Sequence, residues 1–155
     1  MDYIAHESVP YFKECAEVVE AEACILVDLQ VNKKNGAQYV SVVIAAQDAV
    51  KDISLSDCAK VHRALQPKLV SLLGVSEDDV YMEVCSPGLE RNIKNAAEFS
   101  CFKGRDIRVW DKNVGDWVRG SIVCGDDVAV TLKKEDGTEA VIAYVDIAKA
   151  KFIHS

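Results

Sequence analysis

A sharp break at Ser86-Pro87-Gly88-Leu89 divides the chain into two stretches with different hydrophobic rhythms. Before the break, apolar residues at helical spacing alternate with strand-like runs, in the order helix, strand, strand, helix, strand. After it, strand-sized segments follow one another at short spacing, with turn residues between them. Proline presets φ at the second position of a type II turn and glycine supplies positive φ at the third. The simplest interpretation is a turn between two domains, residues 1–88 and 89–155.

The first predicted helix, residues 3–22, has an acidic face. Apolar side chains, among them Ile4, recur at steps of mostly three and four residues, and Pro10 predicts a kink or a restart. Residues 1–91 carry 8 Lys+Arg against 15 Asp+Glu, whereas residues 92–155 carry 10 of each. This acidic first half argues against unaided duplex binding and favours a basic protein as the partner. The glutamates of the acidic face are Glu14, Glu17, Glu20 and Glu22.

Local signals also define the hairpin and the second helix of the first half. Asn35-Gly36 lies between two runs rich in β-branched residues, and this pair tolerates the positive φ of a tight hairpin turn. Ser54, with Asp57 three residues later, predicts the start of a helix that ends at Gly74. Pro67 should kink this helix because it removes a hydrogen-bond donor.

The second half contains a short helical piece, residues 95–102, and five short strands that predict a small closed barrel. Basic side chains alternate with the apolar set of these strands, and Trp110 and Trp117 lie near them. Two interpretations stay open: solvated charge on a strand exterior, or an interface that holds rRNA phosphate or an acidic protein loop. The basic residues are Arg108, Arg119, Lys133, Lys149 and Lys151.

Three segments resemble the ribosome maturation factor P (RimP) family: "YMEVCSPGLERNIKNAAEFSCFKGRDIRV", "DISLSDCAKVHRAL" and "RGSIVCGDDVAVTL". The resemblance covers nearly the whole chain and is most specific over residues 81–109. Ser86, Pro87, Gly88, Leu89 and Arg91 match the family pattern, whereas Cys85, Glu90 and Asn92 depart from it. Asn92 replaces a proline, which loosens the linker.

The resemblance implies an α+β protein with an N-terminal α/β domain and a C-terminal barrel similar to SH3 and Sm folds. It implies a non-catalytic, cytoplasmic assembly factor that binds the small (30S) ribosomal subunit during maturation. The expected partners are ribosomal protein S12 and 16S rRNA, with no cofactor. An RNA-binding module acting outside the ribosome is the alternative. Candidate binding residues are Ser86, Gly88, Leu89, Arg91, Arg108, Arg119, Lys133, Lys149 and Lys151, and we expect Arg91→Ala to affect binding more than folding.

The residues themselves give no sign of an enzyme or of export. The phosphate-binding, dinucleotide-binding, zincin and nucleophile-elbow motifs do not occur, and Asp126-Asp127 is more typical of a solvated turn than of an acid–base pair. His6, His62 and His154 lack zinc-ligand spacing. The six cysteines are expected to be reduced and mostly buried, with Cys124 on an apolar strand face. No basic leader opens the chain, so we expect an unexported protein.

Overall fold

The computed structural model describes residues 1–48 and 51–153, and it shows an α+β chain with two separate β-sheets. His6–Pro87 form one compact unit, here called the first unit. Met1–Ala5 together with the described residues from Gly88 onward form the second unit. The domain limits 1–88 and 89–155 stay a prediction, although residues 1–5 group with the later part of the chain. His154, one of the three histidines considered above, lies outside the described residues.

The first unit has the predicted order of helix, strand, strand, helix and strand. Its sheet has the order β1-β2-β3, with β1 antiparallel to β2 and β3 parallel to β2. Helix α1 packs on β1 and on α2, and α2 packs on β3. The elements are α1 (Phe12–Ala21), β1 (Cys24–Lys34), β2 (Ala37–Ala46), α2 (Leu55–Leu73) and β3 (Val80–Cys85), with 3-10 turns at His6–Ser8 and Glu77–Asp79.

The hairpin between β1 and β2 turns at Asn35-Gly36, as the sequence predicts. Asn35 has φ 53° and Gly36 has φ 81°, and Lys34 pairs directly with Ala37. Two successive residues at positive φ twist the turn in the same sense as the strands, so a two-residue loop can join them.

Helix α1 begins at Phe12, much later than the predicted residue 3. Tyr11 takes a left-handed conformation, φ 66°, directly after Pro10, so the predicted restart is confirmed. The residues before it contribute only a 3-10 turn, and Ile4 lies outside any helix with 51% of its surface exposed. The predicted start of the helix at residue 3 is therefore wrong, although the spacing of Ile4 fits the apolar stripe of the helix.

Helix α2 has both of its predicted ends. The Ser54 side chain accepts a hydrogen bond from the Asp57 N–H at 3.1 Å, and the Asp57 carboxylate accepts one from the Ser54 N–H at 3.0 Å. Gly74 ends the helix at φ 64°, and Pro67 lies inside it. The apolar face of α2 reaches the core of the first unit, which comprises Phe12, Cys15, Val19, Cys24, Leu26, Leu29, Val40, Val42, Ile44, Val61, Leu65, Leu69 and Val80.

The second unit contains a five-stranded antiparallel sheet in the order β7-β6-β5-β4-β8. Among the described residues β7 and β8 occupy opposite ends of this order and do not pair with each other, so the predicted closed barrel is wrong in this respect. The five predicted strands and the short helix are all present. They are a 3-10 helix (Ala96–Phe102), β4 (Asp106–Asp111), β5 (Asp116–Gly125), β6 (Ala129–Lys133), β7 (Glu139–Ala143), a 3-10 turn (Tyr144–Asp146) and β8 (Ile147–Phe152).

The outer edge of β8 is occupied by residues 91–93 rather than by β7. The Ile93 N–H donates to the Ala150 carbonyl at 2.9 Å, and the Phe152 N–H donates to the Arg91 carbonyl at 3.0 Å. Asn92 pairs with Lys151 as an isolated antiparallel bridge. An unpaired strand edge invites association with other chains, so this segment protects one edge of the sheet without closing it.

Residues 1–5 pack on the same unit. The Met1 nitrogen donates to the carbonyls of Tyr144 and Ile147 at 2.9 and 2.8 Å, and the Tyr3 ring stacks on Tyr144 at 6.0 Å. The Ala96 N–H donates to the Asp2 carbonyl at 3.0 Å. These contacts explain why the segment does not extend helix α1.

None of the helices in the described part of the chain combines the length and the apolar character that a membrane span requires.

The capping box of α2 makes a prediction about pH. Hydrogen bonds from the backbone and then the side chain of Ser54 lower the pKa of Asp57 below its usual value. A carboxyl whose pKa is lowered by folding stabilises the fold above about pH 4 and loses that contribution as the pH falls through the folded pKa. We expect Asp57→Asn to lower the melting temperature at about pH 7 and the difference from wild type to shrink toward about pH 3.

The matched control is Asp52→Asn, which removes the same charge from an exposed residue two positions before the cap. This variant should melt like the wild type at both pH values. A deficit of Asp57→Asn that stays constant with pH would contradict the assigned role.

Candidate functional site

The predicted linker motif divides between the two units. Ser86 and Pro87 end the first unit, and Gly88 and Leu89 belong to the second. Ser86 is exposed, and the Leu89 side chain has 54% of its surface exposed. Gly88 has φ 80°, and a Cβ built at this position would meet no atom within 4 Å. The positive φ predicted for Gly88 is therefore confirmed, and a larger residue there would be limited by backbone strain rather than by space.

Arg91 forms a largely buried ion pair with Glu98. The Arg91 Nε lies 2.7 Å from Glu98 Oε1, and the two side chains are 15% and 4% exposed. Removing one partner of a buried pair leaves the other charge without compensation in a poorly solvated place. This pairing gives Arg91 a structural role that the sequence analysis did not anticipate, and a contact of Arg91 with a partner stays a prediction.

Glu98 also caps the short 3-10 helix. Its Oε2 accepts a hydrogen bond from the Asn95 N–H at 3.2 Å, and the Asn95 side chain accepts one from the Ala97 N–H at 3.1 Å. Asn95 holds Ile4 as well, donating to its carbonyl and accepting from its N–H, both at 2.9 Å. A sequence signal existed, because Asn followed by Glu at the third position is a capping pattern.

Three cations lie side by side across neighbouring strands of the second unit. Arg108 on β4 pairs directly with Arg119 on β5 and with Lys151 on β8. Directly opposite residues of an antiparallel pair have Cβ atoms about 5 Å apart, and like charges in this position destabilise the sheet. The stability of the sheet therefore does not explain the row Lys151–Arg108–Arg119.

The next row on the same face contains Lys149, Trp110 and Trp117. Trp110 pairs with both other residues, and the two indole rings meet edge to face at 5.6 Å. The Arg108 guanidinium lies over the Trp117 ring, 4.7 Å from its centre. Such a contact fixes the position of an arginine and leaves its outer edge available.

These two rows, together with Lys133 on β6, define what we call the basic strip. Lys133 pairs with Ser121, two residues along β5 from Arg119. In the part of the chain that the structure describes, none of the five cations of the strip forms an ion pair with a carboxylate. The structure thus brings together five of the predicted candidates, Arg108, Arg119, Lys133, Lys149 and Lys151, whereas Ser86, Gly88, Leu89 and Arg91 lie outside the strip.

Two clefts adjoin the strip and share Arg119 and Ile153. The first, of about 260 Å³, is lined by three cations, Arg108, Arg119 and Lys151, and by one carboxylate, Glu90. The second, of about 460 Å³, has three cations against two carboxylates, and its cations include Lys134, which the sequence analysis missed. Lys134 directly follows the last residue of β6, so the alternation of side chains along the strand does not predict which way its side chain points. The second cleft is lined by Asp106, Arg119, Gly120, Ser121, Lys133, Lys134, Glu135 and Ile153.

The acidic face of α1 belongs to the first unit. Glu14, Glu17 and Glu20 are exposed, and Glu22 follows the helix as its C-cap. The buried residues of the helix lie on its other side, so the predicted amphipathic pattern is confirmed for residues 12–21.

Asp126 takes part in a turn. Its Oδ1 accepts hydrogen bonds from the N–H groups of Val128 and Ala129, each at 2.7 Å, and these bonds lower its pKa. The carboxylate is thereby held as a turn-forming group. Within residues 1–48 and 51–153, no three side chains of His, Cys, Asp or Glu are grouped as a metal site requires.

All six cysteines are free thiols. Burial raises the pKa of Cys15 to about 11 and that of Cys101 to about 12, which keeps both protonated and poorly nucleophilic. Cys124 is exposed, which corrects the expectation of an apolar face, because it directly follows the irregularity between Ile122 and Cys124 in the β5–β6 pairing.

The family model of the RimP N-terminal domain matches residues 14–90. The matched range runs from α1 through β3 and ends at the linker motif. The resemblance to this family noted from the sequence is thereby confirmed over residues 14–90.

The buried ion pair predicts that Arg91 matters for stability. We expect Arg91→Ala to lower the free energy of unfolding by about 3 kcal/mol, because it leaves the Glu98 carboxylate buried without its cation. Urea unfolding followed by circular dichroism measures the change. Arg108→Ala is the control and should change stability little, because Arg108 forms no ion pair with any described residue. Equal losses in the two variants would contradict the structural role.

The positive φ of Gly88 makes a second prediction. Gly88→Ala should cost about 1 kcal/mol of stability because alanine is strained in the left-handed region, although its methyl group has space. Gly88→Asn should cost less, since asparagine tolerates this region better. Urea unfolding again gives the values, and a larger loss for asparagine than for alanine would show that side-chain size, not φ, decides.

Proposed function

The chain belongs to the RimP family of ribosome maturation factors, and from this premise we propose that it binds the small (30S) ribosomal subunit during maturation without catalysing a reaction. The family match over residues 14–90 is the observation that carries the proposal. The cytoplasm, where small subunits mature, is the proposed place of action.

The acidic face of α1 is the proposed contact for ribosomal protein S12. A ribosomal protein with a basic surface would meet Glu14, Glu17 and Glu20, all of them exposed. Opposite charges raise the association rate and make binding dependent on salt. The exposed linker residues Ser86 and Leu89 are proposed to join this contact.

The basic strip is proposed as the second contact with the subunit. Arginine and tryptophan are enriched at the centres of interfaces, and the strip contains both. Its like-charged row has no ion-pair partner among the described residues, so an anionic surface of the subunit would relieve the repulsion.

The second unit is proposed to be an SH3/Sm-like domain. Five short antiparallel strands form one sheet, and a 3-10 turn, Tyr144–Asp146, separates its last two strands. One side of each strand contributes buried residues such as Ile107, Val109 and Leu132. Short antiparallel strands with one buried side are typical of small all-β domains.

The absence of catalysis is part of the proposal and rests on the state of the reactive groups. Asp126 is engaged by two N–H groups, and the raised pKa values of Cys15 and Cys101 disfavour their thiolates. These groups suit a protein that acts by docking.

A second candidate function is RNA binding outside the ribosome, which the basic strip favours. Sedimentation of a cell lysate separates the two. We expect the protein to cofractionate with free small subunits rather than with mature ribosomes. Migration with other RNA, away from subunits, would favour the alternative.

The electrostatic account of S12 binding can be tested by removing the acidic face. The triple variant Glu14→Gln, Glu17→Gln, Glu20→Gln should bind purified S12 several-fold more weakly, mainly through a lower association rate. The control is Asp2→Asn, Asp116→Asn, Asp127→Asn, which removes the same three charges from exposed residues of the second unit that line neither cleft. Binding of the wild type should also weaken as salt rises; affinity that is constant from low to high salt would exclude the electrostatic account.

A further inference from the structure

We propose that the basic strip is a binding site for single-stranded RNA, with phosphates in the two clefts that share Arg119 and a base against Trp110. The inference deepens the proposed function and rests on it, because the RNA would belong to the maturing small subunit. The basic residues alone would fit either RNA or an acidic protein, and the clefts and the tryptophan rings favour RNA.

Repulsion within the row Lys151–Arg108–Arg119 favours an anionic ligand. These side chains are direct neighbours across three strands and repel one another in the free protein. No described carboxylate forms an ion pair with them, and the one carboxylate that lines the first cleft, Glu90, faces all three cations, so positive charge stays in excess. A ligand that places negative charge along the row gains this energy on binding.

The two clefts favour a ligand with more than one anionic group. Arg119 and Ile153 line both clefts, so the two clefts are adjacent along the strip. A single phosphate would fill one cleft and leave the cations of the other unpaired. A chain of linked phosphates reaches both, which favours a polymer over a mononucleotide or a free phosphate.

The two tryptophan rings of the strip differ in whether a cation already covers them. Arg108 lies over Trp117, so this ring holds a phosphate-binding cation in place. Within the described residues no cation lies over Trp110, a half-buried ring between Lys149 and Trp117 in the strand pairing. Trp110 is therefore the ring of this surface that a base can contact.

A nucleotide carries an anion and a flat ring in every repeat, whereas an acidic protein loop carries only carboxylates. Proteins that bind single strands combine a cationic groove with aromatic side chains on which bases stack. The strip has this combination on one sheet face. Double-stranded RNA keeps its bases paired and would leave Trp110 unused, so a single strand fits better.

Direct binding of the full-length protein to a fluorescein-labelled, unstructured RNA of about twelve nucleotides tests the proposal by fluorescence anisotropy at several salt concentrations. Arg119→Ala with Lys133→Ala should weaken binding and lower the slope of log affinity against log salt by about 1.4, from two lost phosphate contacts. Trp110→Leu should weaken binding by about tenfold with little change in the slope.

The matched control is Lys94→Ala with Lys103→Ala. It removes the same charge from exposed lysines of the second unit that line neither cleft, and its RNA affinity should stay close to that of the wild type. Thermal unfolding of each variant verifies that the fold is retained. Equal losses in both double variants would show a general charge effect and overturn the site.

A glutamate peptide of similar length provides the competing ligand. If it binds as tightly as the RNA, the strip recognises acidic protein and the proposal is overturned. An RNA affinity that is unchanged in Trp110→Leu would also overturn it, because no base would then contact this ring. Cofractionation separates this outcome from failure of the proposed function. If the strip binds RNA but the protein does not cofractionate with small subunits, the proposed function is removed. If the protein cofractionates but the strip variants bind RNA as the wild type does, only this inference is removed.

Discussion

The buried carboxylate of Glu98 holds together the parts of the second unit that are distant in sequence. One oxygen pairs with Arg91, which follows the linker, and the other caps the short helix at Asn95. Asn95 in turn holds Ile4 through two hydrogen bonds. The start of the chain, the linker and the short helix therefore converge near one negative charge, and the segment that covers the edge of β8 begins at its arginine partner.

Local signals predicted most of the elements, and long-range contacts account for most of the errors. Asn35-Gly36 and the Ser54–Asp57 box act over a few residues, so their effect is readable from the sequence alone. The placement of residues 1–5 depends on partners more than 90 positions away, such as Asn95, and no local pattern announces them. The predicted closure of the sheet is wrong for the same reason: residues 91–93, and not β7, bond to the outer edge of β8.

The candidate site shows the same division. Alternation along each strand correctly placed Arg108, Arg119 and Lys151 outside the apolar set, because side chains point to opposite faces in turn. Their arrangement in a row depends on the strand order β5-β4-β8, which joins segments that are distant in sequence. The sequence could propose the residues but could not show that they are neighbours. Arg91 illustrates the converse, since its match to a family motif gave no sign of its buried partner.

The segment 91–93 also limits how copies of this chain can associate. In a closed oligomer built head to tail through strand addition, each subunit offers one sheet edge to the opposite edge of its neighbour, so both must be vacant. Here two main-chain groups in the last part of β8, the Ala150 carbonyl and the Phe152 N–H, are already bonded to Ile93 and Arg91. Among the described residues the β7 edge carries no such segment, so strand addition at this sheet favours the β7 edge and hence a two-fold pair over a ring or a fibre.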